Sequence, residues 1–345
     1  VSEWLAEYGM FLAKAVTLIA VLVLVVAILS RAKSSGSERT RLRVERMNER
    51  NRQRQRRLQL AAMDSGLRKA QMKAFKRSDK QERKTTKVQG ESTPAVWVLD
   101  FQGDLKATAT TRLGEEISAV LGVAKAGDEV VLRLESAGGL VHAYGLAAAQ
   151  LDRLRSAGLK TTACIDKVAA SGGYMMACCA DRIHVAPFAV LGSIGVVAQL
   201  PNLHRLLKRH DIDVELLTAG RYKRTLTVFG ENTQEGREKF AEDLENTHAL
   251  FKRHVAERRP VLDVEAVATG EIWYGREAID NQLADTLGTS EQYLQDRMLE
   301  AKVVSVSIET RRSMGERMGL GLSNVLERGL QRVLEVADAS RWLRR

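Results

Sequence analysis

Cysteine is scarce in this sequence and poorly spaced for chemistry of its own. The three in the chain, Cys164, Cys178 and Cys179, are odd in number and lack metal-type spacing. That argues against a disulfide framework and against a zinc site. Cys178 and Cys179 sit in an alanine- and methionine-rich run, where free thiols behave as small core hydrophobes, so all three read as structural. Nucleotide signatures are missing as well: neither of the two glycine-rich turns fits G-x-G-x-x-G or Walker A, which disfavours nucleotide binding. No repeat occurs at solenoid periods. Residues 31–92 contain no proline and few aromatics, so that segment cannot bury a core alone and is expected to be part helix and part disorder. The chain as a whole is not disordered, because 45% of its 345 residues are hydrophobic.

Charge is concentrated rather than spread. Of the net +10, the segment from Arg31 to Lys87 carries 20 Lys/Arg against 6 Asp/Glu, a local +14, and leaves about −4 elsewhere. Just before it, residues 10–30, "MFLAKAVTLIAVLVLVVAILS", are apolar except for Lys14, Thr17 and Ser30. A helix of about 20 such residues spans a bilayer, and Lys14 near one end can snorkel to the headgroups. A cleaved signal peptide is the competing reading, but the flank "SEWLAEYG" is acidic and Arg31 follows directly. The expectation is therefore a short segment 1–9, an uncleaved inner-membrane anchor 10–30, and a basic stalk 31–92 against anionic lipid. Nucleic acid is the rival partner for the charge; without aromatic interleaving it is not expected. The positive-inside bias places the body in the cytoplasm. A second apolar run, "IHVAPFAVLGSIGVVAQL" (183–200), is broken by Pro187, Gly192 and Gly195 and reads as short buried strands.

From Pro94 onward, β-rich and helical patterns alternate. Strands are expected at 95–101, 129–136, 160–166, in "RIHVAP", in "GVVAQL" and at 213–219. Helices are expected at 110–126, 140–158, 201–210 and from about Asn232 to Arg259, with Glu235 completing a capping-box-like start. Such alternation implies α/β architecture, a mostly parallel sheet with helices outside it. A chain starting near Ser92 is expected to fold on its own.

In a parallel sheet, active groups collect at the carboxyl ends of strands. "ESAGGLV" and "KVAASGGYM" both fall there, and glycine pairs at strand-to-helix turns let backbone N–H groups face an oxyanion or phosphate. Ser171 is either a nucleophile or a small residue in a tight turn. A nucleophile needs a base, and none of the six histidines (His142, His184, His204, His210, His248, His254) stands in a triad motif. Lys223, amid Tyr222, Leu226, Val228 and Phe229, is the other candidate, provided burial lowers its pKa.

Five ordered motifs together resemble the signal peptide peptidase family of serine proteases over nearly the whole chain. They are Ser136-Ala137-Gly138-Gly139 (Ser-Pro-Gly-Gly in the family), Ala170-Ser171-Gly172-Gly173-Tyr174, "GSIGV" (192–196), Gly220 to Lys223, and "GEIWYGREAIDNQLADTLG" (270–288). The resemblance implies a Clp protease/crotonase-like fold over 93–300 and a Ser–Lys dyad of Ser171 and Lys223. It also implies oxyanion N–H groups from Gly139 and Gly172, a homo-oligomer, and extended apolar peptide substrates such as signal peptides or membrane-protein segments. No cofactor is implied. Family members facing the periplasm would oppose the orientation read from charge. Residues 301–345 read as an amphipathic extension. A crotonase-like acyl-CoA enzyme and a catalytically silent membrane scaffold are the rival functions; the first needs no Ser171, and the second requires a lost dyad.

Overall fold

Strand residues of alternating direction feed two separate apolar layers, and that alternation explains the architecture. The computed structural model describes residues 40–88 and 94–310, together with Lys14 and Thr17. The anchor at 10–30 and the segment 311–345 lie outside the described residues. No described helix is long and apolar enough to cross a membrane. The chain divides into two units, Val44–Ser307 and a smaller one from Val1–Arg43 with Ile308–Arg345. In the smaller unit Arg43 pairs with Glu309 at 2.7 Å.

Four strands form the centre of the sheet: β2 (Ala95–Gly103), β3 (Glu129–Ser136), β4 (Lys160–Ile165) and β6 (Arg182–Val185). All pair in parallel. On β2, Val96 and Val98 enter a small cluster while Leu99 and Phe101 enter the main core. Val131 of β3 joins the small cluster, while its neighbours Val130 and Leu132 join the main one. This is the period-2 pattern of a sheet covered on both faces. The main face is covered by α3 (Thr110–Leu121) and α4 (Val141–Ser156), where Leu113, Ile117 and Val120 recur at helical spacing.

The sheet forks at the carboxyl end of β3. Its first half pairs with β4 from Glu129 to Arg133, but Ser136 pairs with Ala169 of β5 (Val168–Ala170). Strand β5 continues to β7 (Val190–Gly192), which pairs antiparallel with β8 (Ile272–Tyr274). The fork sets the turns that follow β3 and β5 side by side.

Four expectations are corrected. First, residues 40–46 of the expected stalk form a strand, β1 (Thr40–Arg46), next to β9 (Lys302–Thr310) in the strand order, ahead of the helices α1 (Met47–Ala61) and α2 (Ser65–Val88). Second, residues 302–310 form a sheet strand parallel to β2, so the boundary drawn after residue 300 cuts the sheet. Third, the strands expected in "GVVAQL" and at 213–219 do not form, and only the short helix α6 (His204–Arg209) interrupts that stretch. Their apolar residues lack a neighbouring strand, and Val197 and Leu217 are each 90% exposed. Fourth, the helix α7 (Gln234–Arg258) is capped by Thr233, whose hydroxyl accepts from Gly236 N, while Asn232 accepts from Thr227 N.

The start of α1 is built into the body. Met47 is buried in the small cluster with Leu294 and Val303. Asn48 donates to the Met298 and Ala301 carbonyls and accepts from Val303 N, at 2.8 to 3.0 Å. A chain beginning at Ser92 loses all of this. Hydrogen bonds of about 1 kcal/mol each and a buried methionine of about 2 kcal/mol predict a loss of about 3–5 kcal/mol relative to a chain beginning at Arg39. Denaturant unfolding of the two fragments measures it; equal midpoints would return the boundary to Pro94.

Candidate active site

The serine sits in a backbone conformation that a non-glycine residue rarely adopts. Ser171 has φ 53° and ψ −119°, between β5 and the short helix α5 (Gly172–Ala177). It is held there from both sides: its N–H donates to Gly192 O at 2.8 Å, and its carbonyl accepts from Met175 N at 3.0 Å. Such strain, of about 1–3 kcal/mol, persists only where the surroundings over-determine it, and it concentrates at functional sites. The Ser171 hydroxyl, half-buried, makes no hydrogen bond with another described residue.

The glycine pair after β3 lies against this turn. Gly138 has φ +91°, and a Cβ added there would come within 2.7 Å of Ser171 Cβ and Gly172 N. At Gly139 the added atom would stand 2.1 Å from Leu105 O, and Leu140 N ties the same loop to Leu105 O. Gly172 and Gly173 are equally constrained, the first by the Tyr144 ring and the second by Ser136 O, each at 2.4 Å. These glycines are required by close approach, in addition to leaving N–H groups uncovered.

A hydroxyl relay fixes which N–H groups stay free. The Tyr144 hydroxyl donates to Asp104 O at 2.7 Å, which consumes its only proton. Ser136 Oγ, 2.6 Å from the phenol, therefore donates to it and is left to accept from Gly138 N at 3.0 Å. Burial pushes the Tyr144 hydroxyl pKa up, keeping it a donor. Gly138 N–H is thus occupied, whereas Gly139 N–H has no described partner and Gly172 N–H opens a helix, where no intrahelical acceptor exists. Tyr144 and Asp104 escape a reading of the sequence because their contacts are made by a side chain on α4 and a backbone carbonyl before α3.

Lys223 is placed differently from expectation. It is exposed, as are Tyr222 and Phe229, while Leu226 and Val228 are half-buried. Its N–H donates to Gly220 O at 3.1 Å, but its ammonium has no described partner and does not meet Ser171. The burial on which its role as a base depended is not seen in the single chain. The histidines provide no substitute: His184 bonds Thr286, His248 faces Ile194 O, and His254 faces Met175 O. None bonds Ser171. A surface groove of about 470 Å³ lies between α3 and α4 beside Thr110, Gln150 and Arg153, and Ser171 does not line it.

Comparison with known proteins is consistent across the chain. Family models described as "Peptidase family S49 N-terminal" and "Peptidase family S49" match residues 3–151 and 153–304. A "Probable protease SohB" of Haemophilus influenzae is 56% identical over 232 residues, covering 67% of this chain and 66% of that protein. Another of that description, from Buchnera aphidicola subsp. Acyrthosiphon pisum, is 50% identical over 238 residues, covering 69% and 71%. The chain thus spans about two thirds of the length of these curated relatives. Among solved structures, a lysine mutant of the membrane-bound stomatin-specific protease 1510-N with a substrate peptide has TM-score 0.42 at 11% identity, covering 68% of this chain and 100% of that one.

Proposed function

The chain belongs to peptidase family S49, the serine proteases of the SppA/SohB type, and we propose that it is a membrane-anchored endopeptidase using Ser171 as nucleophile and Lys223 as base. The observation that carries this is the strained turn of Ser171 set against Gly138, with the N–H groups of Gly139 and Gly172 uncommitted beside it. In this reading Ser171 Oγ attacks a peptide carbonyl, and its proton passes to a neutral lysine and then to the leaving amine. The two N–H groups receive the charge that develops on the carbonyl oxygen, where each donor contributes about 3 kcal/mol. Water activated by the same lysine then releases the acyl group.

A lysine acts as a base only where desolvation lowers its pKa. The segment that carries Lys223 exposes Val197, Leu216, Leu217, Tyr222 and Phe229, apolar side chains of the kind an interface covers. Burial of that surface in a homo-oligomer supplies the missing desolvation and draws Lys223 toward a Ser171. Extended apolar peptides at the membrane are the substrates that suit an enzyme tethered by residues 10–30 and held to anionic lipid by its basic stalk. An acyl-CoA enzyme gains no support from the site, since its chemistry has no use for a strained, unbonded serine.

A fluorophosphonate probe tests the assignment directly. Active-site labelling of the full chain in detergent is expected on Ser171, mapped by peptide mass spectrometry. Label elsewhere, or none in an oligomeric preparation, would overturn the nucleophile.

A further inference from the structure

Behind the Ser171 turn, the carbonyl of Met175 collects three side chains that the proposed mechanism does not use. His254 Nε2 lies 2.9 Å from it, Cys178 Sγ 3.3 Å and Cys179 Sγ 3.4 Å. Cys179 Sγ and His254 Nε2 are 3.8 Å apart, and the two sulfurs and that nitrogen all fall within 4.8 Å of one another. We propose that Cys178, Cys179 and His254, completed by the Met175 carbonyl, form a binding site for a thiophilic d¹⁰ cation of the zinc type.

The geometry fits that ion. With metal–sulfur bonds of about 2.3 Å and metal–nitrogen bonds of about 2.0–2.1 Å, the edges of a coordination tetrahedron run from about 3.4 to about 3.8 Å. Four of the six donor separations already span 2.9 to 3.8 Å, and the other two, from Cys178 Sγ to Cys179 Sγ and to His254 Nε2, are within 4.8 Å, so modest side-chain shifts close the set. The donor chemistry agrees, two thiols and an imidazole being a common combination for zinc. Binding would release the thiol protons, and two thiolates balance the charge of a divalent ion in a buried place where net charge is costly. Arg258, one turn beyond His254 on α7, is held in place by a bidentate pair with Asp152.

An ordinary core explains the cysteines separately but not their convergence with a histidine from α7. Cys164 is the internal contrast: equally buried, it sits in the other cluster among valines. A bound cation would fasten α5, whose Met175 N–H holds the Ser171 carbonyl, to α7.

The test titrates Cd²⁺ into the reduced, chelator-stripped full chain and follows the thiolate-to-cadmium charge-transfer absorbance. One equivalent is expected to saturate the band, with protons released and the melting temperature raised. Cys164→Ser should leave the band intact; Cys178→Ser and Cys179→Ser should each remove it, and His254→Ala should weaken binding by at least about tenfold. Absence of a stoichiometric band in the unmodified chain overturns the site whatever the variants do, and so does a band that survives in the Cys178→Ser/Cys179→Ser double variant. Because metal rather than proteolysis is read, this result stands or falls apart from the Ser–Lys assignment.

Discussion

Ser171→Ala is expected to lower peptide cleavage by more than about 10⁴-fold, the scale seen when a covalent nucleophile is removed. Among the described residues Ser193 also has positive φ, at 49°, but Ser171 is the serine set against the Gly138 loop. Lys223→Ala should cost about 10³-fold or more, near the upper range for general acid–base catalysis, while leaving the melting temperature unchanged, since the side chain makes no described contact. Lys223→Arg should not rescue, because a guanidinium stays protonated at any working pH and cannot accept the serine proton. A histidine mechanism forecasts the reverse, with mild lysine effects and one inactive His→Ala variant. Values of kcat/KM between acid and mildly alkaline pH distinguish the two, and substantial cleavage by Lys223→Arg would sink the dyad.

Gly173→Ala, which replaces one hydrogen with a methyl group, is expected to destabilise the fold strongly. The new methyl would meet Ser136 O at 2.4 Å, and its obstacle is backbone inside a parallel sheet rather than the end of a flexible side chain. Overpacking of this kind costs about 3 kcal/mol or more, which lowers the melting temperature of a domain this size by roughly 6–12 °C. It should also displace Ser136, whose Oγ contacts Tyr144 and accepts from Gly138 N–H. Gly145→Ala in α4 is the control. Nothing lies within 4 Å of its added Cβ, and alanine there should gain up to about 1 kcal/mol from helix propensity. Thermal unfolding of the two variants side by side decides it; equal midpoints would mean that the β3–α5 packing yields freely.

Local pattern was enough for much of the fold. The strands at 95–103, 129–136, 160–165 and 182–185 and the helices at 110–121 and 141–156 all stand where periodicity put them, because each carries its own apolar face and its own turn residues. The glycine-bearing turns at strand ends were legible for the same reason: a turn beside a parallel strand end declares itself by composition. Where the pattern misled, the missing ingredient was a partner. "GVVAQL" and residues 213–219 are β-rich, yet a strand needs a neighbour for its backbone, and none reaches them among the described residues. Residues 302–310, by contrast, find β2 at a great sequence distance.

For the site, motif order along the chain was enough to name the family and to pick out Ser171 and its glycines as candidates. How those residues pack against one another came from the fold. The fork of β3 between β4 and β5 brings Gly138 against Ser171, and the relay from Asp104 through Tyr144 to Ser136 selects which N–H groups remain free. The exposure of Lys223 and the meeting of His254 with Cys178 and Cys179 were likewise out of reach of spacing. Spacing reports only neighbours along the chain, whereas burial and ligand geometry are set by elements that pack from far away in it.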